Sequence, residues 1–383
     1  MTTPVIPPSE FQTRAARLQA IVAEAQLDAI LVFSTESEPA GVRYFADYWP
    51  SFETAGVLVP REGPAVLLIG PESMTFARAR SQIETIVRMK DFRESSQPDY
   101  PGSRLTDWRQ LLGERHISRL GVAGWHMLPQ AIYAGLADVL GPAAVTDADE
   151  LVRRVTLKKS PAELACLREA ARISELAFAA VLERIRPGMT ETQLAGIAAG
   201  AMLERGAEAT GYPIWCCSGP NSNQAISRPT HRQVQQGEIV HFSVGAKVSG
   251  YSASIGRPVV LGHCPDPMRR FLQVGLDAEN LTMDLMRAGT RAAEVASRVH
   301  GFIAERGYGD TILYGPAHGC GQMECEFPFV ETSSTFTLEP GMAFMADIFL
   351  STPEMGFRWE DGLVVTDGAA EQLSTFKREL IVL

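Results

Sequence analysis

No run of eighteen or more apolar residues occurs in the 383-residue chain, so a membrane-crossing helix is not expected. The opening stretch MTTPVIPPSEFQTR lacks a basic start followed by an apolar core, so no secretory leader is expected. Basic charge is in deficit. Lys and Arg number 35 against 45 Asp and Glu, a net charge of -10 that argues against nucleic acid or an anionic membrane as partner. Six cysteines (Cys166, Cys216, Cys217, Cys264, Cys320, Cys325) form no metal-type CxxC pair, and the expectation is a cytoplasmic protein with reduced thiols. Low-complexity tracts are absent. What is left is the composition of an ordinary globular protein, in a chain too long for one core, so two domains are expected.

Apolar residues recur at helical spacing through Phe11, Ala15, Leu18, Ile21 and Val22, and the short apolar run DAILVF follows. AGVLVP, AVLLIG, RLGVAG and AAVTDA read as further strands, alternating with helical stretches near 74–84 and 105–113. This is α/β patterning, and it predicts an N-terminal domain over 1–152. The texture then changes. Ser160, Pro161 and Glu163 make a capping box that opens a long helix reaching about Ile185, and Thr190 caps the next one. RRVTLKKS reads as the hinge between the domains. The second domain, 153–383, turns β-rich after residue 207, with one more helical pair at 268–287 and 291–306.

A weak internal echo runs through that half. QQGEIVHFSVG and LEPGMAFMADIF each pass from a turn through a glycine into an alternating strand, and each leads into a partner strand, GYSASIGRPVVL and GFRWEDGLVVT. Side chains alternate faces along a strand. His241 and Ser243 therefore share one face, and Val240, Phe242 and Val244 take the other as core. The two hairpins offer four inward polar positions: Ser243, Ser254, Asp347 and Glu360. The segment YGPAHGCGQMECEFP adds His318 in a glycine-flanked loop and Glu326 before Pro328.

KSPAE, SGPNS with a following PT, the glycines after His318, LEPGM and RWEDGLVVT stand in an order that resembles the creatinase/prolidase/methionine aminopeptidase family. The resemblance spans roughly 157–383 and implies an α+β pita-bread domain with pseudo-two-fold duplicated hairpins behind the smaller α/β domain. In metallopeptidase members, two aspartates, a histidine and two glutamates hold two divalent ions, and the resemblance maps them onto Ser243, Ser254, His318, Asp347 and Glu360. A neutral serine hydroxyl is a poor bridge between cations. Two accessory histidines fall at Ile226 and Cys325. The expectation is a site rebuilt to work without metal or other cofactor, as in creatinase and ectoine hydrolase, the metal-independent members that cleave C–N bonds of small polar nitrogen compounds. Creatinase's own catalytic histidine falls where this chain reads NQAIS, so its mechanism does not transfer intact.

On this reading His318 moves protons, and Glu360, Asp347 and Glu326 act as bases or hold a cationic nitrogen. Arg358 shares a strand face with Glu360 and is placed to hold a substrate carboxylate or Glu326. His241, about 7 Å along the strand from Ser243, is either a replacement for a lost histidine or a core histidine. Cys325 reads as a nucleophile beside His318 or as a packing residue. Tyr212 and Trp215 are candidates to enclose a small cationic, amide or amidine substrate. Two other functions stay open: a metal-dependent Xaa-Pro dipeptidase with altered ligands, and a non-catalytic binding protein. The resemblance also implies a homodimer in which residues 35–55 of one subunit cap the site of the other.

Overall fold

The computed structural model describes residues 3–383. Ile6–Leu157 form one compact unit, and Lys158–Leu383, with the residues up to Val5, form a second.

In the first unit the described residues build a six-stranded sheet. Its order is Ile86–Arg88, Val66–Ile69, Ala55–Pro60, Ala29–Ser34, Leu120–Ala123, Val145–Asp147. Ala29–Ser34 is central, antiparallel to Ala55–Pro60 and parallel to Leu120–Ala123. Its residues are buried on both faces, which is why it reads as an unbroken apolar run. Ile30 and Val32 enter one core cluster, and Ala29, Leu31 and Phe33 enter the other. The helix Asp149–Thr156 buries Val152 and Val155 in the first cluster. The compact unit therefore runs a few residues past position 152 and closes inside RRVTLKKS.

The second unit begins with the two capped helices. The Ser160 and Thr190 side chains accept hydrogen bonds from the backbone N–H of Glu163 and Gln193, whose side chains accept in return from the cap backbone. The helix Pro161–Leu182 stops short of Ile185, because Pro187 biases the residue before it away from helical geometry. The first hairpin pairs Ile239–Val248 with Tyr251–Val260, and the second pairs Ala343–Ser351 with Gly356–Val364. Their second strands also pair with each other, antiparallel, through Ile255–Asp361 and Gly256–Glu360. The hairpins thus meet at a seam in a sheet of ten strands among the described residues.

Helix Asp266–Leu285 packs against the face of this sheet that carries Phe357 and Trp359. It comes close because Gly275 has no side chain: a Cβ there would lie 2.1 Å from the Phe357 ring. The same face buries an ion pair, in which Arg257 donates to both carboxylate oxygens of Asp361 at 2.9 Å. The other face carries the polar positions. No helix among the described residues is long and apolar enough to cross a membrane.

Candidate active site

One row of residues runs across the sheet. Asp347 faces Glu360 across the second hairpin, and Glu360 faces Gly256 across the seam. Gly256 faces Ser243 across the first hairpin, and Ser243 faces Trp215 on the next strand. Gly256 leaves space in the middle of this row, since a Cβ there would stand 2.6 Å from Glu360 Cβ and 3.0 Å from Arg358 Cγ. Across that space Ser243 Oγ donates to Glu360 Oε2 at 2.7 Å. Tyr212 OH lies 2.5 Å from the same hydroxyl, and its ring leans on Trp215.

His318 comes from the short strand Ala317–Gly319, which pairs with the second hairpin at Met345. Its Nε2 lies 3.9 Å from Asp347 Oδ2 and 3.8 Å from Glu360 Oε1. His318, Asp347 and Glu360 bring ligand-type atoms within 4.8 Å of one another.

Arg358 stands one row away, opposite Phe349. Its Nε is 3.1 Å from Asp347 Oδ1, an ion pair although not aligned as a hydrogen bond. Its terminal nitrogen donates to Tyr314 OH at 2.8 Å and to the Ala225 carbonyl at 3.1 Å, and the guanidinium lies 4.3 Å from the Trp215 ring centre. Tyr314 OH donates in turn to Asp347 Oδ2 at 2.8 Å. The partner of Arg358 is thus Asp347, not Glu326. Glu326 lies on the strand Glu326–Val330, where it takes a 2.6 Å hydrogen bond from the buried Lys159 ammonium. It does not join the close group of His318, Asp347 and Glu360.

Burial and charge set the protonation of the cluster. Burial, then the nearby Glu324, pushes the Glu360 carboxyl up to about 8. Burial also raises Asp347, with the Arg358 charge opposing. For His318 burial works downward, but the hydrogen-bonding and charge contributions of Cys325, then the charges of Asp347 and Glu360, outweigh it and lift the imidazole to about 9. The protonated form of His318 is thus favoured by the groups around it. His241 goes the other way: burial, then Arg358, lowers it to about 3. It is a neutral imidazole in the row of Arg358, with its ring edge-on to Phe349. Cys325 is exposed, which overturns the packing reading, while the other five cysteines are buried.

Three participants were missed in the sequence. The Ser254 hydroxyl donates to Glu324 Oε1 at 2.8 Å, and Glu324 is among the neighbours that raise the Glu360 carboxyl. Tyr314 and Lys159 are the others. Glu324 and Tyr314 lie in loop, where neither helical nor strand periodicity marks a side chain's direction. The available signal was an acidic residue in the glycine-bearing loop after His318.

Residues 165–367 match the metallopeptidase family M24, and residues 14–155 match the creatinase/prolidase N-terminal domain. A Bacillus subtilis protein described as the uncharacterized peptidase YqhT is 28% identical over 286 residues, 74% of this chain and 81% of its own. Creatinase of a Bacillus species is 25% identical, covering 97% of this chain and 92% of its own. The solved Xaa-Pro dipeptidase of Bacillus anthracis superposes with a TM-score of 0.83 at 25% identity, over 97% of this chain and 100% of that one. The pita-bread architecture, the two matched domains and the cluster at the hairpin seam lead to one assignment: this chain belongs to the metallopeptidase M24 family, with a creatinase/prolidase N-terminal domain, and is a hydrolase of C–N bonds.

Proposed function

We propose that this protein hydrolyses a C–N bond of a small polar nitrogen compound without a metal ion. The observation that carries the reading is the Arg358 guanidinium, seated 3.1 Å from Asp347 inside the cluster. The centre supplies its own counter-charge where the family's metallopeptidases use cations. The donor set does not fit a pair of divalent ions. Two of the five positions are neutral serines, both Asp347 oxygens face Arg358 or Tyr314, and Glu360 is engaged by Ser243 and Glu324. An ion would have to displace groups the protein already holds there.

The remaining groups support water attack on an amide- or amidine-type carbon. A carboxylate takes a proton from the water as its oxygen bonds to that carbon. The His318 imidazolium gives a proton to the nitrogen as the C–N bond breaks. Tyr212 and Trp215 border the polar row and enclose a small substrate. Dimer formation, with residues 35–55 capping the partner's site, belongs to the same reading.

A second reading has its own support. His318, Asp347 and Glu360 are close enough to hold one ion, and Xaa-Pro dipeptidases are among the relatives. Metal analysis of protein purified without chelator, after soaking with manganese, zinc, cobalt and iron, separates the two. The expected content is below about a tenth of an ion per chain, against the one or two ions of a resident metal centre. One or two tightly held ions, with X-Pro dipeptide cleavage abolished by chelator, would overturn the metal-free reading.

A further inference from the structure

The helix that covers the back of the sheet, Asp266–Leu285, ends beside a cavity of about 270 Å³. Asn280, Met283, Asp284 and Arg287 recur at helical spacing and line one wall of it. The facing wall comes from the C-terminal segment. It carries Gln372, on the short strand that pairs with the second hairpin at Leu363, and then Arg378. The His318, Asp347 and Glu360 side chains belong to the other face of the sheet and take no part in this lining.

Two guanidinium groups border the cavity, and among the described residues neither has a carboxylate hydrogen-bonded to it. Arg287 donates through Nε to the Asp284 backbone carbonyl at 2.8 Å, which holds the helix end and leaves its terminal nitrogens without a side-chain acceptor. Arg378 Nη1 is buried with no hydrogen-bond partner. The Arg378 Nε lies 3.9 Å from Asp361 Oδ2, but Arg257 already donates to both Asp361 oxygens at 2.9 Å. Glu279, next to Asn280, is buried, and neither of its carboxyl oxygens makes a hydrogen bond. A buried N–H without an acceptor is costly, so Arg378 Nη1 marks a place where an acceptor belongs. The Asn280 and Gln372 amides add further N–H donors. One carboxylate, that of Asp284, stands in the same lining and makes no ion pair among the described residues.

We propose that this cavity binds a compact zwitterion of amino-acid size, its carboxylate held by Arg287 and Arg378 and its ammonium by Asp284. The planar fork of a guanidinium matches the two oxygens of a carboxylate. A plain anion would leave Asp284 unanswered beside it, and a plain cation would face two guanidiniums. A ligand with both signs answers all three groups. Drug-sized ligands occupy sites of about 300–1,000 Å³, so this space suits a smaller molecule, with Met283 against its short apolar part. The site is separate from the catalytic cluster and does not depend on the hydrolytic reading.

Calorimetric titration of the full chain tests it, with glycine and alanine as probes and acetate, methylammonium and inorganic phosphate as controls. Glycine or alanine should bind with a Kd of about 1 mM or tighter. Arg287→Ala and Asp284→Asn should each weaken that binding by about tenfold or more. Both residues are exposed, so neither substitution opens the core. Glu360→Gln should leave the binding unchanged. No saturable binding of either amino acid overturns the proposal, as does binding that Arg287→Ala leaves intact. Acetate or phosphate binding as tightly as glycine would show a general anion site and overturn the role of Asp284. Binding lost in Glu360→Gln but kept in Arg287→Ala would put the ligand at the catalytic cluster instead. Failure to hydrolyse any C–N compound leaves each of these readouts unchanged.

Discussion

At the scale of single residues the site is a problem in proton placement. His318 is held near 9 and Glu360 near 8, each above its ordinary value of 6.5 or 4.5. A histidine raised on folding contributes stability that is complete below its unfolded value and is lost as pH rises through the folded one. A raised carboxyl has the same sign, because the folded state favours its protonated form. Both contributions are therefore present under acidic conditions and decline through the window from the unfolded values to about 9. The denaturant midpoint should fall as pH is raised from about 6 to about 9.5. His318→Ala should flatten the alkaline part of that fall and Glu360→Gln the earlier part. A wild-type midpoint that holds level across the range would sink this account. The sequence carried much of this arrangement: alternation along the strands of two matched hairpins marked Ser243, Asp347 and Glu360 as inward positions. It could not show that Arg358 turns to Asp347 while Lys159 takes Glu326, since long cationic side chains choose partners by three-dimensional reach.

At the scale of elements, the seam between the hairpins decides whether the row can exist. The two strands meet at Gly256 and Glu360, where every other residue would bring a Cβ into the site. Gly256→Ala places a methyl group 2.6 Å from Glu360 Cβ, and no flexible tip is there to yield. The expected cost is about 1–3 kcal/mol of folding stability, from overpacking. The Ser243–Glu360 hydrogen bond should be lost with it. Equilibrium unfolding measures the first effect, and a crystal structure of the variant the second; a variant as stable as wild type with that bond intact would show that the seam is looser than the row requires. The capping boxes at Ser160 and Thr190 were legible because they are local, made by residues three apart. The pairing of the two second strands was not, because it joins positions about a hundred residues apart and no local pattern encodes it.

At the scale of the whole molecule, the framework of an M24 protein is kept while the charges at its centre are rearranged. Of the five positions that the resemblance marks, two are hydroxyls in this chain, with Glu324 reaching Ser254 from the loop after His318 and Arg358 reaching Asp347 from the strand that carries Glu360. If the framework itself still has the geometry for cations, restoring the carboxylates should restore ion binding. Ser243→Asp and Ser254→Asp return two carboxylates to the site, and Glu324→Ala removes the carboxyl that now bonds to position 254. An ion that binds only the folded state stabilises it by about 2.7 kcal/mol at a concentration 100 times its Kd. Thermal unfolding of the triple variant should therefore shift upward with added manganese or zinc and return with chelator, while the wild type shows no such response. A wild type that responds like the variant would mean that His318, Asp347 and Glu360 already hold an ion despite Arg358. A triple variant that fails to respond, yet folds, would mean that the guanidinium at 3.1 Å from Asp347 alone is enough to keep cations out. The comparison assigns the change of chemistry either to the two serine positions or to the arginine beside them.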